Sequence, residues 1–437
     1  MNSRKFFVKN LGPFLLILLS FLPLVWWSAI QPLRFRFADA TAALVSLGQI
    51  TGIVGMAMFS LVLVLSARFY IFDVYFGGLN RAYFFHYLFG GLSLVILMSH
   101  PLFLLARHLP YSLKGAADFL LPGAWWQKDF GIYSLALLML LIIWSIFFRR
   151  RYHIWKLAHK FLGIAFLLGG IHGFAIGSDL AQNQTLKIYM ITIASLGLCA
   201  FIYRTILGRL LTHHYEYEVT GLSILPQKTV VVELNPKKEI MEFNPGQFVF
   251  VSFLGGQISQ EWHPFSIASG SSFKGIRLII KELGDYTANL KNLKIGSRAK
   301  LEGPFGNFSY QSIANKKQVW IAGGIGVTPF LSMAESLTGR DQDLEIDFYY
   351  CTRNKDEQLF LERFNNLSAG NKNLTVRSFC SVDHGWLNAG YIKQNSRDLN
   401  QRDIFICGPL QMMKDLRKQF LSLNILNRRV HTEEFNF

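Results

Sequence analysis

Four histidines lie within long apolar stretches of the first half of the chain: His86, His100, His159 and His172. Imidazole is a common metal ligand, and a histidine inside a hydrocarbon layer is costly enough to indicate a function. Fourteen residues separate His86 from His100. On a helix this is about 21 Å, with both side chains within roughly 40° of the same face. The spacing predicts two stacked metal sites, each completed by a histidine from the other stretch.

The second pair is less regular, because thirteen residues separate His159 from His172 and an ideal helix leaves such residues roughly 140° apart. Helix tilt, local overwinding or the adjacent glycines at 169–170 must make up the difference. Both stretches should run outward, so the ligands pair in parallel order. We therefore predict two b-type haems, an inner one held by His86 and His159 and an outer one held by His100 and His172.

Two alternative interpretations of these histidines are weaker. A lone buried histidine is more often a structural residue, but here two stretches carry two histidines each in equivalent positions. A diiron or copper site would need carboxylate or sulfur ligands beside the imidazoles. The two stretches, 82–106 and 154–177, contain no Asp, Glu or Cys.

The composition indicates a membrane protein. Of 437 residues, 51% are hydrophobic and only 16% are charged, whereas soluble domains carry about 25% charged residues. A net charge of +16 would suit a nucleic-acid binder, but basic residues also collect on the cytoplasmic side of membrane proteins, and we predict no nucleic-acid partner. The four cysteines form no CxxC pair, so neither a disulfide framework nor a zinc site is indicated.

Six apolar runs are long enough to cross a bilayer as helices: 11–30, 42–67, 82–106, 130–149, 154–177 and 186–207. The first follows three basic residues like a signal peptide, but it has no small-residue cleavage site, so we expect an uncleaved helix. Inner segments then hold the basic run at 149–151 and most other loop cations, and outer segments hold few. By the positive-inside rule, both termini are cytoplasmic and the protein is a multi-pass protein of the cell (inner) membrane.

The second half of the chain changes character. Short β-rich runs (TVVVEL, QFVFVSF, GIRLIIKE) separated by turn residues suggest an antiparallel barrel up to about residue 312. From residue 318 the pattern becomes strand, glycine loop and helix, with further strands at DFYYCT and DIFICG, as in a nucleotide-binding parallel sheet. We predict three domains: 1–210 in the membrane, 211–312 as a β-barrel, and 313–437 as an α/β domain.

Several motifs of the second half indicate a flavin and a nicotinamide nucleotide. The segment WHPFSIAS at 262–269 offers an aromatic to pack on an isoalloxazine ring and a hydroxyl to bind it. The sequence GDYT follows at 284–287, and GPFG at 303–306. Each alone could be an ordinary β-turn, and their order and spacing make the set specific.

The loop GGIGVTP at 323–329 follows a strand and opens a helix, so its backbone can approach a pyrophosphate. It is not the GxGxxG fingerprint. Downstream, Arg353 ends the next strand, where a basic residue suits the 2′-phosphate of NADPH. Another strand ends at Cys407, Gly408 and Pro409, and the chain stops at Phe437.

With these motifs in place, the sequence resembles the NADPH oxidase and ferric reductase superfamily over nearly its whole length. The first half is similar to the ferric-reductase-type six-helix domain, including the histidine spacings. The second half resembles the ferredoxin–NADP reductase fold, with the HPFS variant of its flavin motif. The resemblance implies an all-α bis-haem membrane domain, then an FAD-binding β-barrel, then an α/β NADPH-binding domain.

The resemblance also assigns site residues. It implies that His263, Pro264, Phe265 and Ser266 contact FAD and that Thr287 lies near its pyrophosphate. It implies that the nicotinamide nucleotide site is lined by Gly323, Gly324, Gly326, Thr328, Pro329, Arg353, Cys407, Gly408 and Pro409. Phe437 matches a C-terminal aromatic that covers the flavin face where nicotinamide must stack, so Phe437 and Cys407 are expected at the reacting centre.

We therefore expect a transmembrane oxidoreductase that carries electrons from NADPH through FAD and two haems to an outside acceptor. Oxygen, giving superoxide, and ferric or cupric chelates both suit this machinery. Animal oxidases of this superfamily carry a further histidine one turn beyond the outer ligand, where this sequence has Leu104. An alternative is an electron-delivery subunit that reduces a periplasmic or extracellular protein at the loop 107–129; no motif specifically indicates such a partner. A reductase merely anchored by structural helices would hold no haem.

Overall fold

The computed structural model describes residues 3–123, 125–147, 152–177, 179–255, 258–337 and 343–433. The chain forms two compact units, Met1–Thr212 and His213–Phe437. The predicted basic run at 149–151 and the predicted flavin-covering Phe437 lie outside the described residues.

Among its described residues, the first unit contains helices and no β-strand. Its helices are α1 (Ser3–Phe21), α2 (Pro23–Ile30), α3 (Leu33–Arg36), α4 (Ala40–Ser66), α5 (Tyr70–Phe76), α6 (Leu79–Ala106), α7 (Leu113–Leu120), α8 (Trp126–Phe147), α9 (Tyr152–Ala175), α10 (Asp179–Gln182), α11 (Gln184–Phe201) and α12 (Gly208–Leu211), with a π-helical turn at Ile202–Ile206.

The six predicted membrane spans are confirmed. Six helical spans of the described residues are long and apolar enough to cross a membrane: Val8–Ile30, Ala40–Ser66, Leu79–Ala106, Trp126–Phe147, Leu157–Ala175 and Gln184–Ile206. The first of them is interrupted at Leu22, because Pro23 opens a new helix there. The segment between the third and fourth spans, expected to be a loop, contains the short helix α7.

Helix α4 lies at the centre of this unit and is the most buried span. It packs along α6 and α11, while α8 packs along α9. Close approach of α4 and α6 depends on a stripe of small residues. A Cβ on Gly48 would lie 2.6 Å from Leu104, and one on Gly55 would lie 2.7 Å from Leu97. Small residues at such spacing are the usual means of packing helices closely in membranes.

A buried ion pair ties the segments after the first and fifth spans together. Arg36 is only 4% exposed and donates to Asp179 at 3.2 Å and to Gln49 at 2.9 Å. Its guanidinium also stacks over the ring of Trp27, 3.9 Å from the centroid. Trp27 is therefore buried against a cation, whereas the side chain of Trp126 is exposed.

Removing one partner of this ion pair should destabilise the membrane unit. Asp179→Asn leaves the Arg36 charge buried without its counter-ion, which typically costs about 3–5 kcal/mol. We expect a clear fall in the thermal unfolding midpoint in detergent. Asp118→Asn, at an exposed position of α7, is the control and should change little. Equal midpoints for the two variants would contradict this account.

The second unit begins with a six-stranded antiparallel sheet. Its strands are β1 (Tyr215–Leu225), β2 (Thr229–Pro236), β3 (Phe248–Leu254), β4 (His263–Ser266), β5 (Ile276–Lys281) and β6 (Arg298–Phe305). Their order is β4-β3-β6-β1-β2-β5, and an isolated antiparallel bridge between Ile267 and Leu278 joins the two edges. Inward side chains such as Val219, Val251 and Leu301 form a fully buried core.

The chain then forms a five-stranded parallel sheet in the order β11-β10-β7-β8-β9. Its strands are β7 (Lys317–Gly323), β8 (Glu345–Thr352), β9 (Leu374–Cys380), β10 (Asp403–Cys407) and β11 (Val430–Glu433). The helices of the second unit are α13 (Asp285–Asn289), α14 (Thr328–Glu335), α15 (Leu361–Gly370), α16 (Ser381–His384), α17 (Ala389–Asn395) and α18 (Leu410–Ser422). The strands predicted from TVVVEL, QFVFVSF, GIRLIIKE, QVWIA, DFYYCT and DIFICG are all present. The expected boundary at 312–313 stays a prediction.

Candidate functional site

The structure brings the predicted outer histidine pair together. The ring centroids of His100, on α6, and His172, on α9, are 6.2 Å apart, with an angle of 66° between the planes. Two metal–nitrogen bonds of about 2 Å, plus about 1 Å from each nitrogen to its ring centroid, require about 6 Å between centroids. The centroid distance therefore matches that expected for two imidazoles bound to one metal ion.

Backbone carbonyls set the orientation of both rings. His100 Nδ1 lies 2.7 Å from the Gly48 carbonyl oxygen, and His172 Nδ1 lies 2.8 Å from that of Gln127. Because a carbonyl oxygen can only accept, each Nδ1 carries the proton and each Nε2 keeps a free lone pair. Such hydrogen bonds are the usual support of metal-binding histidines.

Two glycines make room for these rings. A Cβ on Gly52 would lie 2.9 Å from His100 Nδ1, and a Cβ on Gly131 would lie 2.8 Å from His172 Nδ1. Real Cβ atoms essentially never come so close, so each ring occupies the space that a side chain would fill. The absence of a side chain on α4 and α8 at these positions is thus part of the outer site.

The predicted inner histidines lie on the same two helices, His86 on α6 and His159 on α9. His86 Nδ1 lies 3.0 Å from the carbonyl oxygen of Val62, so its Nε2 also keeps a lone pair. The ring of His159 packs on Trp155, with centroids 4.3 Å apart. Its Nδ1 is buried and makes no hydrogen bond within the described chain.

The irregular thirteen-residue spacing does not break the helix. α9 remains α-helical from Tyr152 to Ala175, through the glycines at 169–170 that offered one explanation. Among the residues that the structure describes, no group of three or more His, Cys, Asp or Glu could hold a metal ion. Paired imidazoles without further ligands fit a haem iron, whose other four bonds come from the macrocycle.

The flavin motif occupies β4 and the turn after it. Phe265 is half-buried against the core of the antiparallel sheet, and Ser266 is almost fully buried. His263 stacks on Tyr286, with ring centroids 3.8 Å apart, and its Nε2 lies 3.1 Å from a carboxylate oxygen of Glu261. Burial raises the pKa of Tyr286, and the charge of Glu261 raises it further. The tyrosine is therefore a neutral packing partner for His263.

Thr287 holds the turn that precedes α13. Its hydroxyl oxygen accepts from the amides of Leu283 and Gly284 at 2.9 and 3.0 Å and donates to the Gly284 carbonyl at 3.1 Å. These bonds use the hydroxyl inside the turn. A Cβ on Gly284 would meet no atom within 4 Å, so open space adjoins the turn where the resemblance places a pyrophosphate.

The predicted nicotinamide residues meet at the carboxyl edge of the parallel sheet. β7 ends at Gly323 and its neighbour β10 ends at Cys407. A Cβ on Gly326 would lie 2.4 Å from the Cys407 carbonyl oxygen, and one on Gly408 would lie 2.9 Å from Gly323 Cα. Pro409 Cδ would lie 2.8 Å from a Cβ on Gly323. The two loops thus pack backbone against backbone, which only glycine allows.

The remaining predicted residues lie at the same edge. Gly324 has φ +53° and open space around it. Thr328 and Pro329 are buried in the first turn of α14. Arg353 follows β8 and is exposed, and its carbonyl oxygen accepts from the Val382 amide at 3.0 Å. Because β7, β8 and β10 are parallel neighbours, these residues share the carboxyl edge of the sheet, where a crevice commonly binds ligands in such folds.

Cys407 is buried and neutral. Burial raises the pKa of its thiol strongly, and the nearby Glu433 carboxylate raises it further. A thiol with a raised pKa stays protonated at pH values where an ordinary cysteine ionises. Cys407 can therefore pack or donate weakly at the crevice, but it does not act as a thiolate.

This predicts that alkylation of Cys407 is slow and depends on pH more steeply than at an ordinary cysteine. Iodoacetamide reacts with thiolates, and the rate at a free cysteine should rise about 20-fold between about pH 7 and about pH 9. At Cys407 of the folded protein we expect a much slower reaction whose rate rises about 100-fold over the same interval, because the thiolate fraction of a thiol far below its pKa rises about tenfold per pH unit. The rate is measured by mass spectrometry of its peptide. The same peptide in the denatured protein is the control, and a parallel rise in both would contradict the prediction.

Sequence reasoning missed the groups that support the histidines. The carbonyls of Gly48, Val62 and Gln127 carry no signal in their residue types, since every residue has one. The glycine positions did offer one: GQITG at 48–52 is a small-residue repeat typical of close helix packing. Glu261 could have been found as a carboxylate two residues before the HPFS motif.

Three known families match the chain in order. Residues 51–170 match the ferric reductase like transmembrane component, 214–328 an FAD-binding domain and 320–418 the oxidoreductase NAD-binding domain. The first match includes three of the four histidines, and His172 lies two residues beyond it.

Curated relatives match mainly the second half. Flavohemoprotein A of Dictyostelium discoideum is 24% identical over 45% of this chain and 54% of its own length, and flavohemoprotein B of that organism is 27% identical over 45% and 53%. Dual oxidase 1 of Caenorhabditis elegans is 28% identical over 48% of this chain and 14% of its own length. The chain thus spans about half the length of the two flavohemoproteins.

Solved structures resemble the same half at low identity. The flavohem-like FAD/NAD binding domain of nitric oxide dioxygenase from Vibrio cholerae O1 biovar El Tor has a TM-score of 0.45 and 21% identity, over 50% of this chain and 97% of that one. A ferredoxin NADP+ reductase from Neisseria gonorrhoeae has a TM-score of 0.43 and 18% identity, over 50% and 98%.

A membrane-spanning ferric-reductase-type domain followed by FAD- and NAD-binding domains defines a multi-pass membrane oxidoreductase. With the dual oxidase similarity added, these matches make the chain similar to the NADPH oxidase and ferric reductase superfamily.

Proposed function

We propose that this chain is a transmembrane oxidoreductase that passes electrons from cytosolic NADPH, through FAD and two b-type haems, to an acceptor on the outer face. The acceptor is oxygen, giving superoxide, or a ferric chelate. The observation that carries the proposal is the pair of cross-helix histidines, His100 and His172, at 6.2 Å between ring centroids with both Nδ1 protons fixed by carbonyl oxygens.

Four histidines would hold the haems. His86 and His159 would hold the inner one, and His100 and His172 the outer one. A haem iron takes up and releases one electron at a time, and when six-coordinate it suits electron transfer. The chain supplies fixed lone pairs at His86, His100 and His172, because carbonyls of α4 and α8 hold these three rings.

The second unit would hold FAD and NADPH. A flavin accepts a hydride and passes electrons on singly, so it converts between the two kinds of transfer. His263, Pro264, Phe265, Ser266 and Thr287 are the proposed flavin contacts. The glycine loop 323–329 and Cys407–Pro409 would hold the nicotinamide nucleotide, with Arg353 at its 2′-phosphate. Phe437 is proposed to cover the flavin face until the nicotinamide displaces it.

The proposed orientation is that of a cell-membrane protein with both termini in the cytoplasm. It rests on the excess of basic residues in alternate loops and on the even number of spans. With this orientation the second unit meets cytosolic NADPH, and the histidine pair of His100 and His172 lies toward the outside.

Cytochrome c reduction, with and without superoxide dismutase, tests the acceptor. The purified protein receives FAD and NADPH, and cytochrome c reports all electrons that leave it. Strong inhibition by the dismutase means that oxygen is reduced to superoxide. Brisk reduction that the dismutase does not affect means direct transfer, which supports a metalloreductase. If NADPH reduces the flavin but neither oxygen nor cytochrome c is reduced, electron delivery to a partner protein is favoured.

Loss of a ligand should remove one haem. We expect His86→Ala and His100→Ala each to lower the ratio of haem to protein from two to about one, with loss of low-spin b-type absorbance. Gly131→Ala should weaken the outer site with all ligands present, because its Cβ would lie 2.8 Å from His172 Nδ1.

Two controls belong to this prediction. His108→Ala removes a histidine outside the proposed pairs. Gly115→Ala adds a Cβ only in ordinary contact with Ser112, at 3.5 Å. Both should keep two haems. A protein that holds no haem, or full haem content in His100→Ala, would contradict the proposal.

Arg353 should select NADPH over NADH. Arg353→Ala removes a charged hydrogen bond to the 2′-phosphate, worth about 1.5–3 kcal/mol, so we expect KM for NADPH to rise about tenfold or more and KM for NADH to change little. The control is Lys317→Ala, which removes a cation at the amino end of β7, where it pairs with Asp398. Equal rises for both nucleotides would show that Arg353 does not contact the 2′-phosphate.

A further inference from the structure

We propose that Glu335 is a positioning residue. It fixes α14, and with it the glycine loop that precedes this helix, against the turn that follows β4. The inference rests on the proposed function, in which NADPH reduces FAD in this unit. Glu335 is the last residue of α14, and that helix begins directly after the glycine loop at 323–327. Its hydrogen-bond partners, Gly270, Arg277 and Arg363, are not among the residues proposed to contact a cofactor. Its position at the far end of the helix therefore indicates another role.

The Glu335 carboxylate joins three elements and its side chain is only 11% exposed. It accepts from the Gly270 amide at 3.1 Å, in the turn four residues after Ser266. It accepts from Arg277 Nη1, on β5, at 3.3 Å, and from Arg363 Nε, on α15, at 2.6 Å. A charged acceptor with this many partners is among the stronger kinds of hydrogen-bonded group.

Serine side chains add hydrogen bonds between the turn at 269–271 and α14, a contact that we call the α14 junction. Ser332 Oγ donates to the Ser269 carbonyl at 2.7 Å, and the Ser271 amide donates to Ser336 Oγ at 2.9 Å. Ser269, Ser332 and Ser336 are buried. The turn at 269–271 is therefore fixed to α14 by side chains on both sides of Glu335.

The guanidinium of Arg277 is also held within the antiparallel sheet. It donates through Nε to Glu233, on β2, at 3.2 Å and lies 4.9 Å from the ring centroid of Phe273. Its bond to Glu335 therefore connects the antiparallel sheet to α14, and Arg363 connects α15 to the same carboxylate. These ion pairs therefore connect the antiparallel sheet, which is proposed to hold the flavin, with the helices of the parallel-sheet part, which is proposed to hold the nicotinamide nucleotide.

The α14 junction affects hydride transfer because it sets the distance between the nicotinamide and the flavin. In that step the nicotinamide C4–H bond breaks, its proton and electron pair pass to the flavin, and with one solvent proton NADPH and FAD become NADP+ and FADH2. The reacting atoms must approach to about 3–3.5 Å, and a misplacement of about 1 Å can cost about 100-fold in rate. α14 is a rigid rod of about 10 Å between Thr328 and Glu335, so a shift at one end moves the glycine loop at the other.

The test uses the full-length protein loaded with FAD. Anaerobic mixing with NADPH gives the rate of FAD reduction, the Kd for NADPH from its concentration dependence, and the charge-transfer absorbance of NADPH against FAD. For Glu335→Ala we expect FAD reduction at least tenfold slower at saturating NADPH and a weaker charge-transfer band. FAD content and Kd should stay within about twofold. Glu335→Gln, which keeps the shape of the side chain, should show the same effect more weakly.

Gly270→Ala reaches the same junction without changing any charge. A Cβ there would lie 2.8 Å from both Glu335 Cβ and the Glu335 carbonyl oxygen, so it pushes the turn away from α14. We expect the same slow FAD reduction as for Glu335→Ala. Two matched controls should keep the wild-type rate: Glu218→Gln, in an exposed ion pair with Lys237, and Gly370→Ala, whose Cβ meets nothing within 4 Å.

Wild-type rates of FAD reduction in Glu335→Ala and Gly270→Ala, with only a lower thermal midpoint, would show a purely structural brace and overturn the positioning role. Slow reduction accompanied by loss of FAD would also overturn it. If NADPH fails to reduce FAD in the wild-type protein itself, the proposed function fails, which is a different result from failure of the variants alone.

Discussion

A neutral imidazole has one proton and one lone pair, so whatever fixes the proton decides where the lone pair points. Inside an apolar helical unit the proton needs an acceptor, because an unsatisfied buried donor is costly. In this chain the carbonyl oxygens of Gly48, Val62 and Gln127 accept from three of the four histidines. The proposed metal binding of the first unit rests on these three hydrogen bonds.

The helix pairing supplies the acceptors. α4 packs along α6 and provides the carbonyls for both histidines of α6, while the first turn of α8 provides the carbonyl for His172 on α9. Glycines at positions 48, 52 and 131 allow the backbones and rings to come this close. The spans without histidines are thus the ones that orient the ligands. His159 differs, since it packs on Trp155 and its Nδ1 has no hydrogen-bond partner in the described chain.

Much of this arrangement could be predicted from the sequence, since apolar length, strand patterning and glycine loops are local signals. The six spans and the parallel sheet follow from such signals, whereas the meeting of the glycine loop with the Cys407 loop was implied by the resemblance. The carbonyl acceptors could not be predicted, because backbone oxygens have no residue type. The bond from Gly270 to Glu335 joins positions 65 residues apart, and no local pattern encodes it. The thirteen-residue spacing also showed how ideal helix geometry misleads: His172 reaches His100 while α9 stays α-helical.

The central claim is that electrons cross the membrane through the histidine pairs. The direct measurement uses sealed vesicles that contain the protein, with ferricyanide trapped inside and NADPH added outside. Trapped ferricyanide should be reduced by the wild-type protein, and reduction should be lost in His100→Ala although NADPH still reduces the flavin. Flavin reduction by the wild-type protein while the trapped ferricyanide stays oxidised would contradict the account.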